Sequence, residues 1–155
     1  MKYLAACLAV MATPAFADCP DPNREGPNYA SNGADLIIPQ VWEARAEGDL
    51  VAPCTEWTET GLVSGEMAGF LPEAPTAVFD LDGLGPHILQ VRAVAECRPI
   101  LAVRSGDGLW FFGETKNGKQ EVTLWGAPDG PLQVWMGAET PEGCDGLIEL
   151  ETYDR

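Results

Sequence analysis

The chain has one histidine, His87, and serines only at positions 31, 64 and 105, so little nucleophile and base chemistry is available to it. No Cys-x-x-Cys pair occurs, and His87 stands at no metal-ligand spacing from any cysteine, which argues against a zinc site. Basic residues are scarce, nine Lys and Arg against 24 Asp and Glu, for a formal charge of −15. That balance excludes nucleic acid as a partner, because phosphate would be repelled rather than neutralised. The only sustained apolar run, Leu4 to Ala12, falls short of the roughly 20 residues a transmembrane helix needs. Amphipathic helical periodicity is missing throughout. Aromatic residues are not, and five tryptophans with 46% hydrophobic residues rule out a disordered acidic tail.

The first 17 residues read as an export signal. Met1-Lys2-Tyr3 is a positive start, the run to Ala12 is apolar, and Ala15-Phe16-Ala17 offers small residues where a signal peptidase cuts. Cleavage after Ala17 predicts a periplasmic or extracellular protein of residues 18–155, one unit more negative once Lys2 has gone. Cys7 leaves with the signal, and four cysteines remain: Cys19, Cys54, Cys97 and Cys144. An even count in an exported chain reads as disulfides. Three pairings are possible. Chain neighbours tend to be spatial neighbours, which favours Cys19–Cys54 with Cys97–Cys144.

Seventeen glycines and 13 prolines punctuate the chain. Residues 18–33 form a polar, turn-rich arm. Leu36 to Glu43 carries Pro39 and suits an edge strand or an irregular segment. Ala44 to Glu47 fits a helical turn, or Glu47-Gly48-Asp49 a hairpin turn. Residues 55–75 carry little pattern and read as a long loop. After Pro75 short strands follow one another: Thr76–Leu81, Ile88–Glu96, Ile100–Arg104, Leu109–Phe112, Glu121–Trp125, Leu132–Met136 and Leu147–Tyr153. Leu89, Val91, Ala93 and Ala95 alternate with Gln90, Arg92 and Glu96, the period of a half-buried strand, and Asn117-Gly118 is a type I′ hairpin signal. The expected fold is mostly β, an antiparallel, jelly-roll-like β-sandwich over 76–155 with an irregular, disulfide-tied N-terminal region over 18–75 packed into the same unit.

Within that series, Leu89-Gln90-Val91-Arg92, Pro99-Ile100-Leu101-Ala102-Val103 with Asp107-Gly108, Asp129 to Gly137, and Leu147-Ile148-Glu149-Leu150 resemble the bacterial pre-peptidase C-terminal domain family. The resemblance implies a small β-sandwich appended to secreted peptidases, where it aids secretion, solubility or substrate contact. Some members of that family bind calcium near a paired-aspartate loop. The matching stretch here, Phe112 to Gly118, holds one acid and a lysine, a departure from that pattern.

The remaining chemistry is sparse. Gly61-Leu62-Val63-Ser64-Gly65 is no nucleophile elbow, so neither Ser64, Ser31 nor Ser105 with His87 composes a serine triad by motif. Asp80-x-Asp82-Gly83 resembles the opening of a calcium loop, but Val91 stands where an EF-hand needs glutamate; it reads as a turn, or as a calcium site completed by distant carboxylates. Trp110, Trp125 and Trp135 lie in apolar strands and read as packing, Trp42 is ambiguous, and Trp57 is the best candidate for an exposed, sugar-stacking ring, though it also suits packing on a disulfide. Together these features predict a monomeric, non-catalytic module with no cofactor and no metal, binding an unidentified protein or carbohydrate. A secreted peptidase or glycosidase with dispersed acids, or a calcium- or glycan-binding module, is the alternative.

Overall fold

The computed structural model describes residues 18–63 and 67–155, so the export-signal expectation and the placement of Ser64 lie outside the described residues. The chain runs β1 (Asn28–Asn32), β2 (Gln40–Ala46), β3 (Leu50–Ala52), α1 (Thr55–Glu59), β4 (Gly69–Leu71), β5 (Ala77–Asp82), β6 (His87–Ala95) and β7 (Pro99–Arg104). It continues through β8 (Trp110–Phe112), β9 (Glu114–Lys116), β10 (Lys119–Leu124), β11 (Gly130–Ala138) and β12 (Cys144–Asp154). The molecule is mostly β, as its alternating segments predict.

Two sheets face each other. One has the order β2-β12-β6-β10-β9 and is antiparallel throughout. The other is built around β11, which pairs with β7 on one side and with β5 on the other. β8 extends it beyond β7, β1 lies beyond β5, and β4 with β3 continues past the end of β11. Alternate residues of β5, β6, β10, β11 and β12 meet between the sheets. Phe79, Val91, Leu101, Val103, Val134, Ile148 and Leu150 are fully buried there. Trp42 is half-buried and closes one edge of this core, its ring 4.6 Å from Phe79 in an edge-on contact.

The Asn117-Gly118 turn takes φ of 51° and 77° and joins β9 to β10 in register, the geometry that a type I′ hairpin demands. At Gly137 the need is different. A Cβ there would strike the Phe70 carbonyl, so only glycine lets β4 pass over β11.

Several segments depart from the expectation. β1 lies within the polar arm and pairs parallel with β5, from Asn28 opposite Val78 to Asn32 opposite Asp82. β2 is an edge strand after Pro39, but it continues to Ala46, so no helical turn forms at 44–47. Glu47-Gly48-Asp49 is not a hairpin turn either, because it carries the chain from one sheet to the other. Residues 55–75 hold α1 and β4 rather than a plain loop. The arm and this segment also create a second core. It lies on the outer face of the β11 sheet, where Trp57, Leu71, Ala102 and Trp135 are buried with Cys54. Trp57 makes tilted ring contacts with Trp110 at 5.0 Å and Phe112 at 4.8 Å, and Trp110 reaches Trp135 at 4.7 Å.

Both disulfides form, Cys19–Cys54 and Cys97–Cys144, with Cα separations of 5.2 and 5.9 Å. The first ties the arm to the start of α1 and so closes the second core. The second joins the β6–β7 connection to the start of β12. Disulfides of this kind suit an oxidising compartment. No helix among the described residues is long and apolar enough to cross a membrane.

Candidate functional site

The N-terminal segments cover the outer face of the β11 sheet and leave the outer face of the five-stranded sheet open. Period-two alternation decides what that open face displays. Because Leu89, Val91 and Ala93 of β6 point inward, Ile88, Gln90, Arg92 and Val94 point out. By the same parity β10 presents Lys119, Glu121 and Thr123, and β12 presents Asp145, Leu147, Glu149, Glu151 and Tyr153. Register then aligns these residues in rows across the strands: Thr123, Gln90 and Glu151; next Glu121, Arg92, Glu149 and Val41; next Val94, Leu147 and Glu43.

Arg92 is the hub. Its Nε donates to Glu121 at 3.0 Å, Nη1 donates to Glu149 and to Glu151 at 2.6 Å each, and Nη2 donates to the Tyr153 hydroxyl at 2.8 Å and to Gln90 Oε1. All five guanidinium donors are therefore engaged. Lys116 adds a bond to Glu121 at 3.1 Å. The side chains of Arg92, Glu121, Glu149 and Glu151 are only 13–18% exposed, low for charges on an outer sheet face.

Ionisation follows the geometry. Burial alone would push the Glu121 carboxyl up, but hydrogen bonds from Arg92 and Lys116 outweigh it and hold the group below its usual range. Glu151 behaves alike, burial being outweighed by bonds to Tyr153 and Arg92. Burial and a bond to Glu151 raise the Tyr153 phenol. Arg92, despite burial, is held more firmly protonated than usual by the same partners.

Carboxylates depressed in the folded state stabilise it above their unfolded values and lose that contribution as pH falls through the folded ones. The wild-type protein is therefore expected to lose thermal stability below about pH 4, where free glutamates protonate. Replacing Arg92→Met leaves three clustered carboxylates without their cation. We expect a loss of about 2 kcal/mol at pH 7, in the range of hydrogen bonds to charged groups. The slope should also reverse: like-charge repulsion raises the carboxyl values, so the variant gains stability on acidification from pH 7 towards pH 5. Melting curves across that range test it, and parallel wild-type and variant profiles would contradict the assigned cluster.

Beyond Val94 and Leu147 the face deepens into a cleft that also involves Glu43, Arg45, Glu96 and Asp145. Arg45 is paired there with Asp145 at 2.7 Å and Glu47 at 3.0 Å. At the opposite end stand Ile88, its partner Tyr153, and Trp125, which follows Leu124 opposite Leu89. Trp125 is 72% exposed, the reverse of the packing role its apolar strand suggests. Trp57 is 2% exposed and belongs to the second core, so packing beside a disulfide is its place and sugar stacking is not.

The other sequence candidates fall elsewhere. Asp80 and Asp82 point outward from β5 beside β1, near Asn32 and Asp35, which are bonded to each other at 2.6 Å. Among the described residues no group of three or more Asp, Glu, His or Cys is placed to hold a metal. His87 is buried at the start of β6, its Nδ1 3.4 Å from Asp154 Oδ1 and without a hydrogen-bond partner. The Ser105 hydroxyl bonds Asp107 and the Leu109 carbonyl within its turn, and the Ser31 hydroxyl is buried without a partner.

No protein-family model matches the chain, and no curated protein does. Among solved structures, the pre-peptidase C-terminal domain of a collagenase from Bacillus anthracis matches at 10% identity with a TM-score of 0.46, covering 84% of this chain and 99% of that one. The likeness is one of fold. Sequence reading missed the Arg92 cluster because its members are scattered over three strands whose pairing no local pattern reveals. The signal that was present is the polar alternation of Gln90 and Arg92, of Glu121 and Thr123, and of Glu149, Glu151 and Tyr153.

Proposed function

We propose that the chain is an exported, non-catalytic accessory module that grips an extracellular partner through the open face of its five-stranded sheet. The observation that carries this reading is the asymmetry of the sandwich. One outer face is sealed by the disulfide-tied arm, and the other presents a rigid, fully bonded Arg92 cluster between an aromatic end and a cleft. Groups already locked in place lose little freedom when a ligand lands on them. The signal-like residues 1–17 and the two disulfides support export. A non-catalytic role is supported by the commitment of the Ser105 hydroxyl to its own turn, where it bonds Asp107 and the Leu109 carbonyl.

The test is co-sedimentation of the exported protein with insoluble cellulose, chitin, peptidoglycan and collagen fibres, alongside the double variant Val94→Arg/Thr123→Arg. Both positions are partly exposed on the open face. We expect at least one polymer to retain the wild type and the variant to bind about tenfold more weakly, a change of roughly 1.4 kcal/mol. Equal retention of the two proteins would remove the open face from the proposal, and release of soluble fragments from any polymer would remove the non-catalytic role.

A further inference from the structure

Gln120 stands where a core residue belongs. Along β10 it shares the inward parity of Val122 and Leu124, and it is only 8% exposed, yet its side chain is polar. Its amide nitrogen donates to the Thr115 hydroxyl at 2.6 Å, while its Oε1 accepts no hydrogen bond from a described residue. A buried amide left half-used calls for a partner. Room for one lies beside it. Gln120 and Thr115 line a cavity of about 350 Å³ at the corner where the chain passes from β8 in one sheet to β9 in the other. Gly113 makes that passage, and a Cβ there would come within 2.7 Å of Gln120 Oε1 and 2.9 Å of the Leu101 Cβ, so glycine keeps the corner open. Buried Met67 and Ile100 supply apolar wall. Small-molecule pockets begin at about 300 Å³, and this one suits a small occupant.

The mouth of the cavity carries one charge of each sign, Arg98 and Glu139. A backbone bond of 3.1 Å from the Glu139 amide to the Arg98 carbonyl sets the two residues side by side, and both side chains are exposed. Arg98 Nη1 lies 3.7 Å from the Glu139 carboxylate, beyond hydrogen-bond range. The guanidinium groups of Arg24, Arg45, Arg92, Arg104 and Arg155 all donate hydrogen bonds; that of Arg98 donates none to a described residue. An exposed pair so loosely joined contributes little to stability. Both groups can therefore turn to a ligand at small cost.

We infer that this corner cavity is a second binding site, separate from the open face, and that it takes a free α-amino acid whose side chain ends in an amide or a hydroxyl. A zwitterion carries its carboxylate and its ammonium on one carbon, and Arg98 and Glu139 offer the complementary pair of charges next to each other. The guanidinium fork suits the carboxylate, and the Glu139 carboxylate suits the ammonium. A ligand of single charge would satisfy one of them and face the other uncompensated. The ligand side chain then passes Met67 and Ile100, and its polar end donates to Gln120 Oε1. Being neutral overall, such a ligand is not repelled by the net charge of −15.

The experiment is calorimetric titration of the exported protein with L-asparagine, L-glutamine and L-serine. N-acetyl-L-glutamine, which lacks the ammonium, and L-glutaminamide, which lacks the carboxylate, are the counterparts. Arg98→Gln and Glu139→Gln remove one charge each at exposed positions, where replacement is safe for the fold; Gln120→Leu removes the buried amide, and melting temperatures show that each variant is folded. Binding of at least one of the three amino acids, weakened at least about tenfold in both charge variants and in Gln120→Leu, is the expected result. The two blocked compounds should bind more weakly by a similar factor, and Val94→Arg/Thr123→Arg should bind the amino acid as the wild type does. Failure of all three amino acids at millimolar concentration, affinity unchanged in both charge variants, or equal binding of the blocked compounds overturns the inference. Full affinity in Gln120→Leu overturns the assigned polar floor. Loss of amino-acid binding in the folded open-face variant alone would overturn the location, whereas failure of the polymer test leaves this site untouched.

Discussion

Trp135→Ala is expected to lower the unfolding free energy by about 3–5 kcal/mol, the usual range for removing a fully buried large aromatic side chain. Trp135 is at zero exposure although it points away from the space between the sheets. Along β11, Leu132, Val134 and Met136 face that space, so Trp135 faces outward into the second core, against Trp110 and beneath the residues of the arm. Its indole N–H donates to the Glu73 carbonyl at 3.3 Å, a bond that alanine cannot make. The substitution thus leaves a cavity between two separately positioned pieces of chain and an acceptor without its donor. Equilibrium denaturation in urea measures the change. A loss below about 1 kcal/mol, typical of surface positions, would mean that the outer face of this sheet is not sealed. The open face lies on the other sheet, so retention on an insoluble polymer should persist at temperatures where the variant is folded.

The inward-facing core was largely legible from alternation. Leu89, Val91 and Ala93 predict both the β6 strand and its buried side, and the aspartate-glycine and asparagine-glycine turns mark where strands end. The pairing of the cysteines was legible too, through the tendency of chain neighbours to lie together. What alternation does not carry is the identity of the neighbouring strand. Trp125 and Trp135 both occur in apolar surroundings, yet one is 72% exposed and the other is buried. The difference is that the arm covers the outer face of one sheet and not of the other. The same gap hid the candidate site. Arg92, Glu121, Glu149 and Glu151 each read as a solvent-facing residue of its own strand, and only the register of β10, β6 and β12 makes them one cluster. β1 escaped for another reason: its residues Asn28 to Asn32 have the composition of a turn, and its strand conformation depends on the edge that β5 offers it.

Removing the Cys19–Cys54 bridge, as Cys19→Ala/Cys54→Ala, should cost about 3–4 kcal/mol by the chain-entropy estimate for a loop of this size, its ends being 35 residues apart. The distribution of that loss is the more informative result. The bridge fastens the arm to α1, and α1 is too short, at five residues, to persist by itself. Its stability derives from Trp57, which is held against Trp110 and Phe112 only while the arm stays down. Hydrogen exchange in the variant should therefore accelerate first in α1 and β3, with amides of Leu101 and Val134 in the central core protected for far longer. The sandwich would then consist of a cooperative pair of sheets and a separately opening cover. Uniform acceleration across α1 and β11 would show instead that the cover and the sheets unfold as one unit. Under the first outcome the two outer faces have distinct physical roles: the covered one has its aromatic residues sealed by a stapled segment, and the open one is held by the hydrogen-bonded cluster around Arg92. That division explains how a small sandwich can leave Trp125 facing solvent without depending on it for its stability.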